Sequence, residues 1–443
     1  MSRPSSCLNV AIIGGGYAGM AAAVTLAARH VPVTVFESAK HLGGRARGLW
    51  HNDTQLDNGQ HILLGCYHHT LNLIEQVGGN IDQDFLRLPL QLTLHKRFKL
   101  KAARLPAPLH LLAGLLTAQG LSVAQRLLAS RFMLAMRHLN YTLPHDISAL
   151  ELLSAQLQDD ALISLLWQPI CISALNTPLQ KASAQVLLNV LKDSLAGLRS
   201  DSDMLLPRKD LSALFPNRAA EFVKRRGGKV ITSCTIVGLI PDLNHIELLT
   251  AQACPELGRR DSQRFSHVIC ATSPTAAARL LDIPQFTSIA QQIKAIPQQP
   301  IYTVYLQYPE NIYLPHPMLG LDRCVTQWLF DKGQISGQHG LIAAVISAQG
   351  IHQELEHDLL AKKVAQELHD QLGILEAPLW HKVIAEKRAT FSCEVNLLRP
   401  APATSNPRLI LAGDYIQGNY PATLEGAVMS GIQATQFIPE RDS

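Results

Sequence analysis

Three features of the sequence predict an α/β fold. A continuous apolar run, Leu8 to Ile13, precedes a helix of small residues, Ala18 to Arg29, and then a second β-branched run, Val31 to Glu37. A glycine-rich turn joins the first run to the helix. Strand patterns return at 229–240 and 267–272, then at 301–307 and 341–347 ahead of an amphipathic helix at 353–372, and as a buried run at 408–412. A strand–helix–strand opening whose partner strands lie far down the chain predicts a Rossmann-type nucleotide-binding domain with an α+β domain inserted into it.

Composition narrows the function classes. Of 443 residues 47% are apolar, with 39 basic and 35 acidic side chains, which excludes a disordered or fibrous chain. A net charge of +4 is too mild for a nucleic-acid-binding protein, so none is expected as a partner. The cysteines at 7, 66, 171, 234, 254, 270, 324 and 393 form no C-x-x-C pair, so we expect free thiols in a reducing compartment and no metal site. Only a short polar stretch precedes the first strand, without the charged and apolar regions of a signal peptide, so the expectation is cytoplasmic.

The opening turn, Gly14-Gly15-Gly16-Tyr17-Ala18-Gly19, reads G-x-G-x-x-G between strand and helix, and Glu37 ends the second strand. Gly14 permits the tight turn, Gly16 lets backbone approach a diphosphate, and Gly19 allows close helix packing, with Ala18 at the helix start. The helix N-terminus favours the anion, and Glu37 can accept from a ribose hydroxyl. Leu42-Gly43-Gly44-Arg45-Ala46-Arg47 follows at once, and offers further amides and a guanidinium to the same diphosphate.

On this G-G-R segment the sequence resembles the flavin-dependent amine oxidase and carotenoid desaturase superfamily. The resemblance implies FAD, with Gly44 and Arg45 among its ligands. At the other end Leu409-Ile410-Leu411-Ala412-Gly413-Asp414 and Tyr420-Pro421-Ala422-Thr423-Leu424-Glu425-Gly426-Ala427 resemble the superfamily's second flavin motif. There Asp414 would bond the ribityl or diphosphate region, and the amides at Thr423 and Leu424 would face the flavin ring. The pattern departs between these two pieces, where Tyr415-Ile416-Gln417-Gly418-Asn419 stands, which bears on the flavin-face pocket. Ile236 is the candidate adenine contact, with an ordinary core strand as the alternative. The implied layout is an FAD-binding domain of residues 1–67, 200–282 and 385–443, and a substrate domain of 68–199 and 283–384.

Leu56-Asp57-Asn58-Gly59-Gln60-His61 is rich in donors and falls where the superfamily places the loop beside the flavin ring, which implies that Gly59 and Gln60 contact the cofactor. It is equally a good turn sequence, and His61 can be structural. The run from Leu56 to Tyr67, together with Pro421 to Val428, resembles more narrowly the squalene-associated, FAD-dependent desaturase-like family of hopanoid pathways. That family's chemistry implies reductive removal of the hydroxyl from hydroxysqualene, giving squalene. His61 and Tyr420 are then the candidates for assisting departure of the hydroxyl. Oxidative desaturation of a carotenoid precursor, oxidation of an amine, and a flavin-free isoprenoid carrier are the competing readings.

Residues 68–200 read as mainly helical. Within them, 85–145 carry nine Lys or Arg (Arg87, Lys96, Arg97, Lys99, Lys101, Arg104, Arg126, Arg131 and Arg137) and no acid. Leu128, Phe132, Ala135 and Leu139 recur at helical spacing, so this block is a helix lying on an anionic membrane surface, the lining of a substrate tunnel, or plain core. The first reading would place the protein peripherally on the inner face of the plasma membrane.

Overall fold

In a computed structural model, residues 8–251 and 262–440 are described, so the expectations for Cys7 and Cys254 lie outside the described residues. Five parallel strands form the central sheet in the order Lys229–Ile231, Val33–Phe36, Val10–Ile13, His267–Cys270, Leu409–Leu411. Every residue of the three middle strands is buried, which is why they read as unbroken apolar runs. The helix Tyr17–Ala28 and the final helix Leu424–Ala434 pack together so closely that a side chain at Gly431 would meet the backbone of Ala18. Helices about four hundred residues apart in sequence thereby pack directly against each other.

A second, seven-stranded sheet runs Trp380–Phe391, Gln298–Gln307, Leu341–Ser347, Trp328–Asp331, Met318–Gly320, Gln91–Leu94, Phe98–Lys101. The helix His357–Leu372 covers one face. The strand Trp380–Phe391 runs without a break through 384–385, where the sequence places a domain boundary.

The expectation of a mainly helical block at 68–200 is corrected at its start. Residues 85–101 form the strands Phe85–Leu88, Gln91–Leu94 and Phe98–Lys101. The reason is alternation: Phe98 and Leu100 are buried while Lys99 and Lys101 are exposed, a period of two that only a half-buried strand satisfies. Beyond Leu109 the block is helical as expected, including Leu109–Leu116, Val123–His138 and Ala184–Leu195.

The apolar stripe expected to face a membrane is also corrected. On Val123–His138, Phe132 is buried, and Leu128 and Ala135 are half-buried against the core; Leu139 is exposed just beyond the helix. A different set, Val123, Leu127 and Leu134, faces outward at exposures of 50% or more. Helical spacing puts these three on one face, opposite the buried stripe. No helix among the described residues is long and apolar enough to cross a membrane.

Candidate active site

The opening turn is built for an anion. Gly14 has φ +109°, and a side chain there would meet the carbonyl of Ala271 on the neighbouring strand. The helix after it starts at Gly16 with no side chain capping its first amides, which leaves them to a ligand. Gly16 itself faces open space toward Gly43 and Gly44, whose segment pairs with it in a parallel bridge. The Gly43 amide donates to the Gly15 carbonyl at 2.9 Å. The two glycine motifs are thus two walls of one cradle.

Glu37 is buried at the end of its strand, where its carboxylate accepts from the amides of Gly15 at 2.7 Å and Ala39 at 2.8 Å. The Cys234 amide donates to the Glu37 carbonyl at 2.9 Å, and Ile236, buried, opens the next strand. Glu37 and the start of the strand carrying Ile236 are thereby held close together beside the cradle.

Arg45 carries the convergence. Its guanidinium donates to Asp414 Oδ1 at 2.6 Å and to the Ala389 carbonyl at 2.7 Å. Asp414 follows Gly413 (φ +145°), whose amide donates to Ser430 in the final helix. The third motif joins them: Asn58 donates from its side chain to the Arg45 carbonyl and from its backbone to the Arg47 carbonyl. Beside Gly59 the buried Gln60 amide group and the Thr303 hydroxyl, and beside Gly413 the Tyr415 hydroxyl, have no hydrogen-bond partner among the described residues. Buried polar groups left unpaired are costly unless a ligand satisfies them. An uncapped helix start, an open glycine cradle and these unpaired groups fit FAD.

His61 Nδ1 lies 2.9 Å from the Gly59 carbonyl, to which it can donate. Burial, with the Arg45 charge adding to it, pushes the imidazole pKa below its ordinary value, so the ring is neutral near pH 7. Two groups beside this loop carried no sequence signal. Asp57 is buried, and burial pushes its carboxyl up to about 6 although it accepts from the Leu211 amide and faces Lys332. Glu425 in the first turn of the final helix accepts from the amides of His69 and Thr70 and from the Thr70 hydroxyl, capping the helix His68–Gln76. A cap supplied from 350 residues away is invisible to local spacing.

Next to the flavin end opens a cavity with about 1280 Å³ of free space including its mouth. Ile62, Cys66, Tyr67, Tyr420 and Thr423 line one end; His61 does not. Leu111, Leu115 and Met133 line it where the helices Leu109–Leu116 and Val123–His138 cross. A smaller pocket shares Leu111, Met133 and Leu195 with it and reaches Leu134 and Arg137 at the surface.

Fold and site define an FAD-dependent oxidoreductase. The model of the flavin containing amine oxidoreductases matches residues 17–438, and the chain belongs to that family. Within it, the chain is 26% identical to hydroxysqualene dehydroxylase of Sinorhizobium fredii, over 97% of this chain and 98% of that one. It is likewise 26% identical to the Rhodopseudomonas palustris protein of the same name, over 97% and 98%. Zeta-carotene desaturase of Synechocystis is 22% identical over 97% of both chains. Among solved structures, an oxidoreductase from Methanosarcina mazei superposes with a TM-score of 0.75 at 14% identity, covering 97% of this chain and all of that one. These structures share the fold.

Proposed function

We propose that the chain reductively removes the hydroxyl of hydroxysqualene to give squalene, in squalene and hopanoid biosynthesis. The observation that carries this reading is the cavity: almost wholly apolar, with Thr423, the N-cap of the final helix, in its wall. A wall of this composition, mostly Leu, Ile, Met and Trp, suits an extended isoprenoid chain better than a small cationic amine. Low aromatic content, 5%, also speaks against an aromatic cage for an amine.

Gly14, Gly16, Ala18 and Gly19 would hold the diphosphate, with Glu37 on the ribose and Ile236 on the adenine. Gly44, Arg45, Gly413 and Asp414 would clamp its other side, and Gly59, Gln60, Thr423 and Leu424 would bound the ring. Reduced FAD supplies a hydride. The protein's own part is to bury the chain, exclude water and help the allylic C–O bond ionise. Tyr420 lines the cavity, while His61, held neutral, lies outside its lining.

A substrate this insoluble must come from lipid. The outward leucines Leu109, Leu116, Leu127 and Leu134, with Val123, flank the smaller pocket, and exposed Arg131 and Arg137 lie beside them. We propose that this face rests peripherally on an anionic membrane and that the smaller pocket is the entrance. The test of function is anaerobic incubation of the prereduced holoenzyme with hydroxysqualene. Squalene is the expected product; unchanged alcohol would overturn the reading.

A further inference from the structure

The cavity wall is mostly apolar, and the one carboxylate among its described lining residues sits beside a phenol. Asp193, on the inner face of Ala184–Leu195, and Tyr420, just before the final helix, meet there, and the Tyr420 hydroxyl donates to Asp193 Oδ2 at 2.6 Å. Other hydroxyls on the wall are already engaged. Ser173 accepts from Trp328, Ser194 donates to the Val190 carbonyl, Ser202 donates to the Arg199 carbonyl, and Thr423 caps the final helix at Gly426. Asp193 Oδ1 has no hydrogen bond among the described residues.

The pair stands at the reacting end. Tyr420, Thr423, Cys66 and Asp193 line the same cavity, and Asp193 is close enough to Cys66 to add to the burial that pushes its thiol up to about 12. Burial and the Asp193 contact also hold the Tyr420 phenol far above its ordinary value, so it stays protonated and serves as a donor. A phenol so held is a poor acid.

We infer that Asp193, with Tyr420 bracing its Oδ2, is the hydroxyl-binding and proton-donating residue of this cavity, an inference that rests on the dehydroxylase reading above. Its ligand class is a long isoprenoid carrying one allylic alcohol. Asp193 first takes up a proton from solvent on its free Oδ1, with Oδ2 still accepting from Tyr420, and this carboxyl meets the substrate oxygen. As the C–O bond breaks with its electron pair on oxygen, that oxygen takes the Oδ1 proton and leaves as water; the carbon takes the hydride supplied by reduced FAD, and Asp193 recovers its proton from solvent. Substrate minus hydroxide plus hydride gives the hydrocarbon, and hydroxide plus the carboxyl proton gives water. Tyr420 acts through Asp193 and is a positioning residue.

The test compares alcohol with hydrocarbon. Binding of hydroxysqualene and of squalene to the oxidised holoenzyme can be followed by the fluorescence of Trp167 and Trp328, which line the cavity. Wild-type protein should prefer the alcohol by about tenfold to a hundredfold, the range expected of a hydrogen bond to a charged or strongly polar group. Asp193→Ala should remove the preference and leave squalene affinity unchanged, and Asp193→Glu should restore part of it. In prereduced holoenzyme, Asp193→Asn should keep alcohol binding but slow squalene formation about a hundredfold or more, as loss of a general acid does. Tyr420→Phe should fall between. A preference that survives Asp193→Ala, an Asp193→Asn protein that turns over normally, or variants that weaken alcohol and squalene alike would overturn the assignment. If wild-type protein makes no squalene, the dehydroxylase reading falls, and the proton transfer with it. Alcohol preference lost in Asp193→Ala would then still support Asp193 as the hydroxyl-binding residue.

Discussion

The nucleotide cradle and the apolar cavity lie side by side and are built on opposite principles. The cradle recognises charge with backbone: Gly14 and Gly16 shape it, an uncapped helix start points into it, and one ion pair, Arg45 with Asp414, closes it. The cavity is walled by mostly apolar side chains drawn from many elements. A charged ligand needs a few donors in fixed places, and a hydrocarbon needs only that water be kept away from it. Local motifs can encode the first. Only a folded surface creates the second.

Substitutions can break this contrast. The largest effect is expected in the cradle from Arg45→Ala, which leaves Asp414 buried without its partner. Removing one member of a buried pair costs about 3–5 kcal/mol, so the purified variant should come out with little flavin absorbance. A variant that retains full FAD through dialysis would mean the two ends of the chain do not share the cofactor. Glu37→Ala should also weaken FAD retention, by less, because the backbone of the cradle remains.

In the cavity a single large side chain should have the reverse signature. Val190→Trp would narrow the channel beside Leu191, so squalene affinity should fall about tenfold or more while flavin content stays at the wild-type level. Loss of both together would show that the regions are not separable. At the surface, Val123→Glu, Leu127→Glu and Leu134→Glu combined should reduce co-sedimentation with anionic vesicles and leave turnover of detergent-dispersed substrate intact. Vesicle binding that persists would remove the docking face from the proposal. Lys96 and Arg97 are a poorer choice for this test, since they already contact Gln371 and Asp322.

The smallest effect concerns pH. The Asp57 carboxyl, raised by burial to about 6 against an ordinary value near 4, holds its proton more tightly in the folded protein. Its contribution is therefore present below about pH 4 and is lost as pH rises through 6. Relative to wild type, Asp57→Asn should gain thermal stability as pH goes from 4 to 6, by a few degrees in Tm, and a gap that stays constant over that interval would contradict the shift.

How much was readable in advance follows the same division. The parallel strands at 10–13, 33–36 and 409–411 announced themselves as apolar runs because both faces are buried. The strands at 91–101 did not, because two short alternating stretches in a Leu-rich and Lys-rich segment are easily overlooked. On Val123–His138 two apolar stripes coexist, and periodicity alone could not say which one faces the core. Glycine spacing, Glu37 and the G-G-R segment pointed to a dinucleotide because each geometric demand falls within a few residues. Gln60 was singled out, yet its unpaired amide is a property of the folded loop.

By itself, then, the sequence determined the central sheet, its glycine turn and the acid beside it, since those depend on backbone conformation and short-range spacing. Tertiary structure alone decided that Arg45 meets Asp414, that Glu425 caps the helix at His68, and that Asp193 faces Tyr420 inside an apolar wall. These pairings join residues more than two hundred positions apart, and their energy depends on burial, which no residue possesses until the chain has closed around it.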